Sequence, residues 1–243
     1  ETLLIIGDKL ICTPGGREHN MVALNKSNGD IIWTTKAMGE IPAYCSPLLI
    51  EIGGRNLIVT HMADHVIGVD ADTGKLLWNH PHPNRYSVHP NTPLYHNGQV
   101  FCFSGYGKGG AMLKLNDDGS QVNEIWYSET MDSRMGGAVY HNGFMYGSGD
   151  SNREWQCIDW NTGKVLYESK EVGNGVVIAA EGMLYAYSQR GELALMKPEA
   201  SSFKVVSITK INAGSGQHWA HPAINNGRLF VRHGNTMLAY KIR

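Results

Sequence analysis

Histidine is the residue type in this chain with the widest chemical reach, because its imidazole exchanges protons near neutral pH and binds metals. The chain of 243 residues has 11 histidines, and only His96 and His141 lie beside short turn sequences. The other nine fall in or beside longer polar segments, namely His19, His61, His65, His80, His82, His89, His218, His221 and His233. The same segments carry the cationic residues Arg85, Lys108, Arg134, Arg153, Arg190 and Arg232. If these segments share one face, they predict a polar funnel that tolerates anions.

The spacing of these histidines does not predict a metal site. His61 and His65 are four residues apart, but they lie at a strand-to-strand loop, where this spacing does not place two side chains on one helix face. Zinc would need three or four ligands from separate parts of the chain, which spacing cannot show. His218 and His221 flank Trp219, and each is either a funnel residue or a hydrogen-bonded structural histidine. We therefore predict no metal and assign no catalytic residue.

Three other patterns resemble catalytic motifs only in part. The glycine-rich segment 105–110 (GYGKGG) leads into a strand rather than a helix, unlike a dinucleotide-binding loop, although Tyr106 and Lys108 remain candidates for the funnel. The segment 70–74 (DADTG) has Pro81 where a calcium loop needs its closing carboxylate, so we interpret it as a turn. The chain contains no Gly-x-Ser-x-Gly sequence, and a hydrolase is not predicted.

The overall composition excludes several classes of partner. The chain has 21 Lys and Arg against 22 Asp and Glu, and this balance provides no basic field for nucleic acid. No apolar run is long enough to cross a bilayer, so we predict no membrane span. The four cysteines are far apart, and we interpret them as buried free thiols: Cys12, Cys45, Cys102 and Cys157.

A repeat of about 45 residues organises the elements that must position these side chains. The segment 22–33 (VALNKSNGDIIW) recurs as 67–78 (IGVDADTGKLLW), and more loosely at 112–126 and 157–167. A second marker has the same period, because a tight-turn pair lies between two apolar runs in each unit. These pairs are Gly7-Asp8, Gly53-Gly54, Asn97-Gly98, Asn142-Gly143, Glu181-Gly182 and Asn226-Gly227. Two markers in phase predict six units of four short strands each.

Four strands per repeat of this length are typical of the blades of a β-propeller. We therefore predict an all-β propeller forming a single domain over residues 1–243. The predicted blades span about 3–37, 41–81, 88–129, 135–171, 173–211 and 217–243. The bulky residues on the outer strands are predicted to fill the wedge between blades, and these are Trp33, Trp78, Trp126 and Tyr167. The sixth blade has no outer strand of its own, so we expect a larger parent propeller or a missing N-terminal closing strand.

In such blades the turns between strands one and two and between strands three and four share one face, here called the hairpin face. The second-to-third-strand loops and the blade-to-blade connections share the other, here called the long-loop face. Because binding groups belong on loops held by a rigid scaffold, ligand binding is predicted on the long-loop face. The candidates are Arg85, His89, Asn91, Tyr106, Lys108, Arg134, His218, Trp219, His221 and His233.

The segment 69–78 (VDADTGKLLW) resembles the quinoprotein repeat of pyrroloquinoline quinone (PQQ)-type propellers. The segments 12–16, 91–95, 104–110 and 216–222 look like those of bacterial PQQ-binding-like propeller proteins, often labelled putative alcohol or polyvinyl alcohol dehydrogenases. The outer-membrane assembly lipoprotein BamB is a more distant relative with the same repeat. The resemblance implies an exported protein, periplasmic or otherwise extracytoplasmic, and an eight-bladed parent.

The resemblance implies two functions from different classes. Family enzymes hold PQQ between a tryptophan and a disulfide of adjacent cysteines, with calcium bound by carboxylate and amide groups, and this chain has no adjacent cysteine pair. Our first hypothesis is therefore a module that binds a small molecule, a glycan or a protein, without a predicted cofactor. The alternative is a quinoprotein-type alcohol dehydrogenase using PQQ with calcium near Arg85, His89, His218 and Trp219. A third hypothesis, a pure assembly scaffold, would use blade edges or the hairpin face.

Overall fold

The computed structural model describes residues 1–135, 137–199 and 201–242, and the regular elements in these ranges are all β-strands. The chain divides into two compact units, Glu1–Glu129 (unit 1) and Thr130–Arg243 (unit 2). A helix long and apolar enough to cross a membrane is not found in the described ranges. Arg243, the last residue of the predicted sixth blade, lies outside the described residues.

Unit 1 contains three antiparallel sheets, each with four strands in sequence order. The first sheet comprises β1 (Leu4–Ile6), β2 (Lys9–Cys12), β3 (His19–Asn25) and β4 (Ile31–Lys36). The second comprises β5 (Leu48–Ile52), β6 (Arg55–His61), β7 (His65–Asp70) and β8 (Leu76–Pro81). The third comprises β9 (Leu94–His96), β10 (Gln99–Ser104), β11 (Gly109–Leu115) and β12 (Val122–Ser128).

Unit 2 contains two further four-stranded sheets and one three-stranded sheet of the same kind. The fourth sheet comprises β13 (Ala138–His141), β14 (Phe144–Ser148), β15 (Trp155–Asp159) and β16 (Val165–Ser169). The fifth comprises β17 (Gly175–Ala180), β18 (Met183–Ser188), β19 (Glu192–Glu199) and β20 (Ser202–Lys210). The sixth comprises β21 (Ala223–Asn225), β22 (Arg228–His233) and β23 (Thr236–Lys241). Each of the six sheets lies within the segment predicted for one blade.

Turn chemistry explains why the sheets recur with a constant period. In the first hairpin of the third sheet, Asn97 and Gly98 both have positive φ, at 48° and 73°, as a two-residue type I′ hairpin requires. The Asp-x-x-Thr-Gly turns close the third and fourth strands. In one of them, Asp70 Oδ1 accepts hydrogen bonds from the backbone N–H groups of Asp72 and Thr73 and from the Thr73 hydroxyl. The Asp70 carboxylate of this calcium-loop-like segment therefore stabilises the turn itself.

A β-bulge repeats at the same phase in every four-stranded sheet. The register between third and fourth strands shifts at Ala23/Leu24, Gly68/Val69, Met112/Leu113, Cys157/Ile158 and Leu195/Met196. In four sheets the last pair before the shift contains the predicted blade aromatic, as in Gly68 opposite Trp78. A bulge bends the strand and re-aims the side chain beside it. The bulge therefore belongs to the repeat that packs neighbouring sheets.

Adjacent sheets within each unit pack face to face through apolar clusters. Trp33 is buried against the second sheet, and its indole Nε1 donates to the Ala71 carbonyl at 3.2 Å. Trp78 does the same one sheet further on, with Nε1 donating to the Gly119 carbonyl at 3.1 Å. Trp126 and Tyr167 are half-buried; Trp126 lies beside Phe101 of its own sheet, whereas Tyr167 is edge-on to Phe203 of the fifth sheet. The contacts of Trp33, Trp78 and Tyr167 join neighbouring sheets and thereby position the long loops.

Candidate functional site

Exposed aromatic and cationic side chains lie together on the long-loop face of unit 1. Tyr86 and Tyr106 are 53% and 37% exposed, and their rings meet edge to face with centroids 4.6 Å apart. The Arg85 guanidinium lies 5.0 Å from the centre of the Tyr86 ring, and the Lys108 ammonium lies 5.1 Å from that of Tyr127. Aromatic and cationic groups in such contacts are frequent anchors at protein interfaces. Of the predicted candidates, Arg85 and Tyr106 are brought together here.

Backbone strain distinguishes the long-loop face from the hairpin face. Among the residues that the structure describes, eight non-glycine residues have positive φ, and four of them occupy the tight hairpins that require it, namely Asn97, Asn142, Glu181 and Asn226. The other four lie in the long loops: Tyr44, Ser87, Tyr106 and Arg153, with φ of 70°, 55°, 65° and 58°. A bulky residue held in this region costs about 1–3 kcal/mol and is typical of functional sites. Tyr44, at 64% exposure, and Tyr106 thus present aromatic rings to solvent from strained positions.

Three histidines form a buried cluster in unit 1 that sequence spacing did not reveal. His61 ends β6, His82 follows β8, and His89 lies in the connection to the third sheet; all three are almost fully buried. Their ring centroids are 5.1–5.8 Å apart. His89 Nε2 donates to the Ala63 carbonyl at 3.0 Å, whereas neither ring nitrogen of His61 or of His82 has a hydrogen-bond partner among the described residues. His89, predicted to bind ligand, is therefore beneath the surface.

Burial keeps this histidine cluster neutral. Desolvation is the main cause that lowers the pKa of all three rings, to about 3 for His82, where the nearby Lys108 charge adds to it. Burial likewise raises the pKa of the Cys45 thiol to about 11, so this thiol stays protonated. The predicted ligand residue Asn91 is also buried, and its amide donates to the Phe103 carbonyl at 3.2 Å. Both Asn91 and the histidines thus support the loops from below.

A buried carboxylate joins the loops on the long-loop face of unit 2. Asp150 Oδ1 accepts hydrogen bonds from the side-chain amides of Asn174 and Gln189, both at 3.0 Å. Its Oδ2 accepts from the Arg134 backbone N–H at 2.5 Å and lies 3.2 Å from the Arg134 guanidinium Nε. The three partner residues come from three separate segments in the loops and connections of the fourth and fifth sheets. Arg134, predicted to bind ligand, therefore ties loops together through Asp150.

Replacing Asp150 with alanine is expected to lower the free energy of unfolding by about 2–3 kcal/mol, because several donors, one of them charged, lose their acceptor. The loss should be measured by chemical denaturation of the whole chain. Asp8→Ala on the hairpin face, where the carboxylate is 86% exposed, is the matched control and should change stability by less than about 0.5 kcal/mol. Equal stability of the two variants would show that Asp150 does not join the loops.

Two histidines stack beside a tyrosine on the same face of unit 2. The rings of His218 and His233 are stacked with centroids 3.7 Å apart, and the Tyr187 hydroxyl lies 2.5 Å from His218 Nδ1. Burial raises the pKa of the Tyr187 phenol and lowers that of His218, so the phenol donates to a neutral imidazole. His233 is held between two backbone carbonyls, those of Ala213 at 2.7 Å and Gly216 at 3.0 Å. The structure brings these two predicted residues together.

The remaining candidates in unit 2 lie nearby in sequence but differ in their environment. Trp219 is 55% exposed, and His221 Nε2 lies 3.3 Å from the Met135 carbonyl.

A groove of about 330 Å³ lies between the loops of the fourth and fifth sheets. It is lined by Asn152, Arg153, Lys170, Glu171, Gly173, Asn174, Arg190 and Glu192. Sequence analysis placed Arg153 and Arg190 among the cations of the long loops but did not show that they share a groove.

The described residues do not fit PQQ with calcium. All four cysteines are free thiols, and Cys45, Cys102 and Cys157 are buried at separate positions, so they offer no disulfide platform for a planar quinone. Within the described residues, no group of three or more His, Cys, Asp or Glu side chains is arranged to hold a metal ion.

Comparison with solved structures identifies the architecture. BamB from Moraxella catarrhalis aligns with a TM-score of 0.72 at 13% identity, covering 98% of this chain and 70% of that protein. The computationally designed Ika8 protein aligns with a TM-score of 0.71 at 11% identity, covering 99% of this chain and 70% of that protein. Quinohemoprotein alcohol dehydrogenase from Comamonas testosteroni aligns with a TM-score of 0.63 at 14% identity, covering 95% of this chain and 50% of that enzyme.

These likenesses confirm the predicted β-propeller fold, and at such identities they concern the fold alone. Among curated protein sequences, no significant match to this chain is found. The family model described as outer membrane protein assembly factor BamB matches residues 1–169, which is more than half of the chain. The chain therefore belongs to this family of PQQ-like β-propeller proteins.

Proposed function

We propose that this chain is an extracytoplasmic propeller module that binds a peptide segment of a partner protein through its long-loop faces. The observation that carries the proposal is the set of strained loop positions, because Tyr44, Tyr106 and Arg153 are held at positive φ in the long loops, a conformation that is costly for residues other than glycine and typical of functional sites. The family description, an outer membrane assembly factor, supports both a protein partner and a location outside the cytoplasm.

The chemistry of the long-loop faces suits peptide recognition. On unit 1, the Tyr86–Tyr106 pair with Arg85 combines aromatic surface with a cation, and such residues supply most of the binding energy at protein interfaces. In the same unit, the Glu40 carboxylate accepts from the backbone N–H groups of Asp64 and His65 and fixes the loop between β6 and β7. A rigid support lowers the conformational entropy that binding would otherwise cost.

The test is selection of peptides from a random display library against the whole chain, followed by affinity measurements with variants. Tyr86→Ala and Tyr106→Ala on unit 1, and Arg153→Ala on unit 2, are expected to weaken the selected peptides about tenfold or more on at least one face. Tyr95→Ala, close to the hairpin face of the third sheet, is the matched control and should leave affinity unchanged. Melting temperatures of all variants verify that they remain folded.

Two results would contradict the proposal. The first is selected peptides that lose affinity only with the hairpin-face variant, and the second is a library that yields no specific peptide.

The oxidoreductase alternative is tested on the same protein by adding PQQ with calcium. Under the binding-module proposal the melting temperature stays constant, whereas saturable stabilisation with dye-linked alcohol oxidation would favour the enzyme.

A further inference from the structure

The groove on the long-loop face of unit 2 is lined mainly by charged side chains. Its volume of about 330 Å³ lies at the lower end of the range that ligand pockets occupy. Arg153 comes from the loop between β14 and β15, and Arg190 from the turn between β18 and β19. Lys170 and the amide side chain of Asn174 come from the connection between the two sheets. Adjacent blades thus supply one guanidinium each.

Most acidic groups beside the groove already have partners. The Lys170 ammonium lies 2.8 Å from the Glu154 carboxylate. The Glu192 carboxylate accepts from the Gly173 backbone N–H at 3.0 Å and from the Ser188 hydroxyl at 2.9 Å. Glu171 is therefore the one lining carboxylate for which no such bond is present within the described residues.

The two guanidinium groups, in contrast, have no neutralising partner. Among the residues that the structure describes, no carboxylate lies within 4 Å of the side-chain nitrogens of Arg153 or Arg190. Both side chains are exposed. The lining thus combines three cations with the carboxylates of Glu171 and Glu192, and its two exposed guanidinium groups can each bind a carboxylate with two parallel hydrogen bonds.

The backbone beneath both arginines is fixed. Arg153 has a φ of 58°, a conformation that only its surroundings can maintain in a non-glycine residue. The Arg190 backbone N–H donates to the Ser188 hydroxyl at 3.2 Å, and the same hydroxyl accepts from the Glu192 N–H at 3.0 Å. The bases of both side chains are therefore held on opposite sides of the groove before a ligand arrives.

We infer that this groove binds an acidic peptide segment, with Arg153 and Arg190 each pairing with a carboxylate of the ligand. The inference rests on the proposed function and specifies the ligand class of one site. The two guanidinium groups come from separate loops and therefore suit two carboxylates along one peptide, whereas a small anion carries its charge at one point. An isolated phosphate shares the anionic chemistry, so the experiment distinguishes the two sources.

The probe is a fluorescein-labelled peptide with three consecutive glutamates, compared with a matched peptide in which glutamine replaces them. Anisotropy with the whole chain is expected to give at least tenfold tighter binding of the glutamate peptide, and its affinity should fall as salt rises. Arg153→Gln and Arg190→Gln should each weaken it about fivefold. Arg228→Gln, at the exposed start of β22 beside the hairpin turn of the sixth sheet, is the control and should have no effect.

Three outcomes would overturn the inference. The first is equal binding of the two peptides, and the second is wild-type affinity in both arginine variants. The third is complete displacement of the glutamate peptide by inorganic phosphate, so that it no longer binds more tightly than the glutamine peptide. If one of these results is found but library-selected peptides lose affinity in Tyr86→Ala or Tyr106→Ala, the inference about the groove is wrong and the binding-module proposal stands. If the two arginine variants weaken the glutamate peptide and neither tyrosine variant weakens a library-selected peptide, the groove is the binding surface.

Discussion

Replacing Trp78 with alanine is expected to lower the free energy of unfolding by about 3–5 kcal/mol, as for other large buried aromatics. The side chain is only 7% exposed and packs in the cluster that joins the second and third sheets. The ring packs directly on Gly68 of the neighbouring strand, where an added Cβ atom would lie only 2.1 Å from it. Because Gly68 has no side chain, the neighbouring strand cannot fill the cavity that the substitution leaves. The Gly119 carbonyl loses its donor as well.

Urea unfolding of the two tryptophan variants Trp78→Ala and Trp219→Ala measures this difference. Trp219 is 55% exposed, and its replacement should change stability by less than about 0.5 kcal/mol. Similar losses in both variants would mean that the aromatic at this phase of the repeat does not join the sheets. Such a result would remove the structural role that we assign to Trp33 and Trp78.

Acid is expected to destabilise the chain well before its carboxylates titrate. His61, His82 and His89 have lowered pKa values in the folded protein because they are buried, whereas the unfolded chain protonates them from about pH 6.5 downwards. Below that pH the unfolded state binds more protons than the folded state, so stability falls. His82, with a folded pKa of about 3, contributes about 1.4 kcal/mol of loss for each pH unit in this window.

Chemical denaturation at pH 7, 6 and 5 tests this dependence. By pH 5 His82 alone should account for a loss of about 2 kcal/mol, with further losses from His61 and His89. His82→Gln removes the titrating group and should flatten the dependence by that amount. Equal stability at pH 7 and pH 5 in the wild-type protein would contradict a buried neutral cluster.

The repeat was predictable because local chemistry determines it. The tight hairpins need residues that tolerate positive φ, and the Asn-Gly pairs and Asp-x-x-Thr-Gly turns therefore recur in phase with the sheets. The bulge opposite Trp78 was not predictable in the same way. An extra residue in an outer strand changes the pairing register without leaving a special residue type in the sequence.

Prediction of the site was less complete because burial decides the role of a polar loop residue. His89 and Asn91 carry chemistry that suits ligand binding, yet both side chains are turned inward to support loops. His61 and His82 are 21 positions apart and meet only because β6 and β8, the second and fourth strands of one sheet, both end at the long-loop face. The groove requires Arg153 and Arg190 from two sheets, and no spacing in the sequence encodes their convergence.

Hydrogen–deuterium exchange of the whole chain, with and without a saturating library-selected peptide, tests most directly where partners bind. Our account predicts slower exchange in the long loops, at residues 104–109 in unit 1 or at 149–154 and 188–192 in unit 2. The turns at 97–98 and 142–143 should exchange at the same rate in both samples. Slower exchange confined to those hairpin turns or to the outer strands would contradict binding at the long-loop faces.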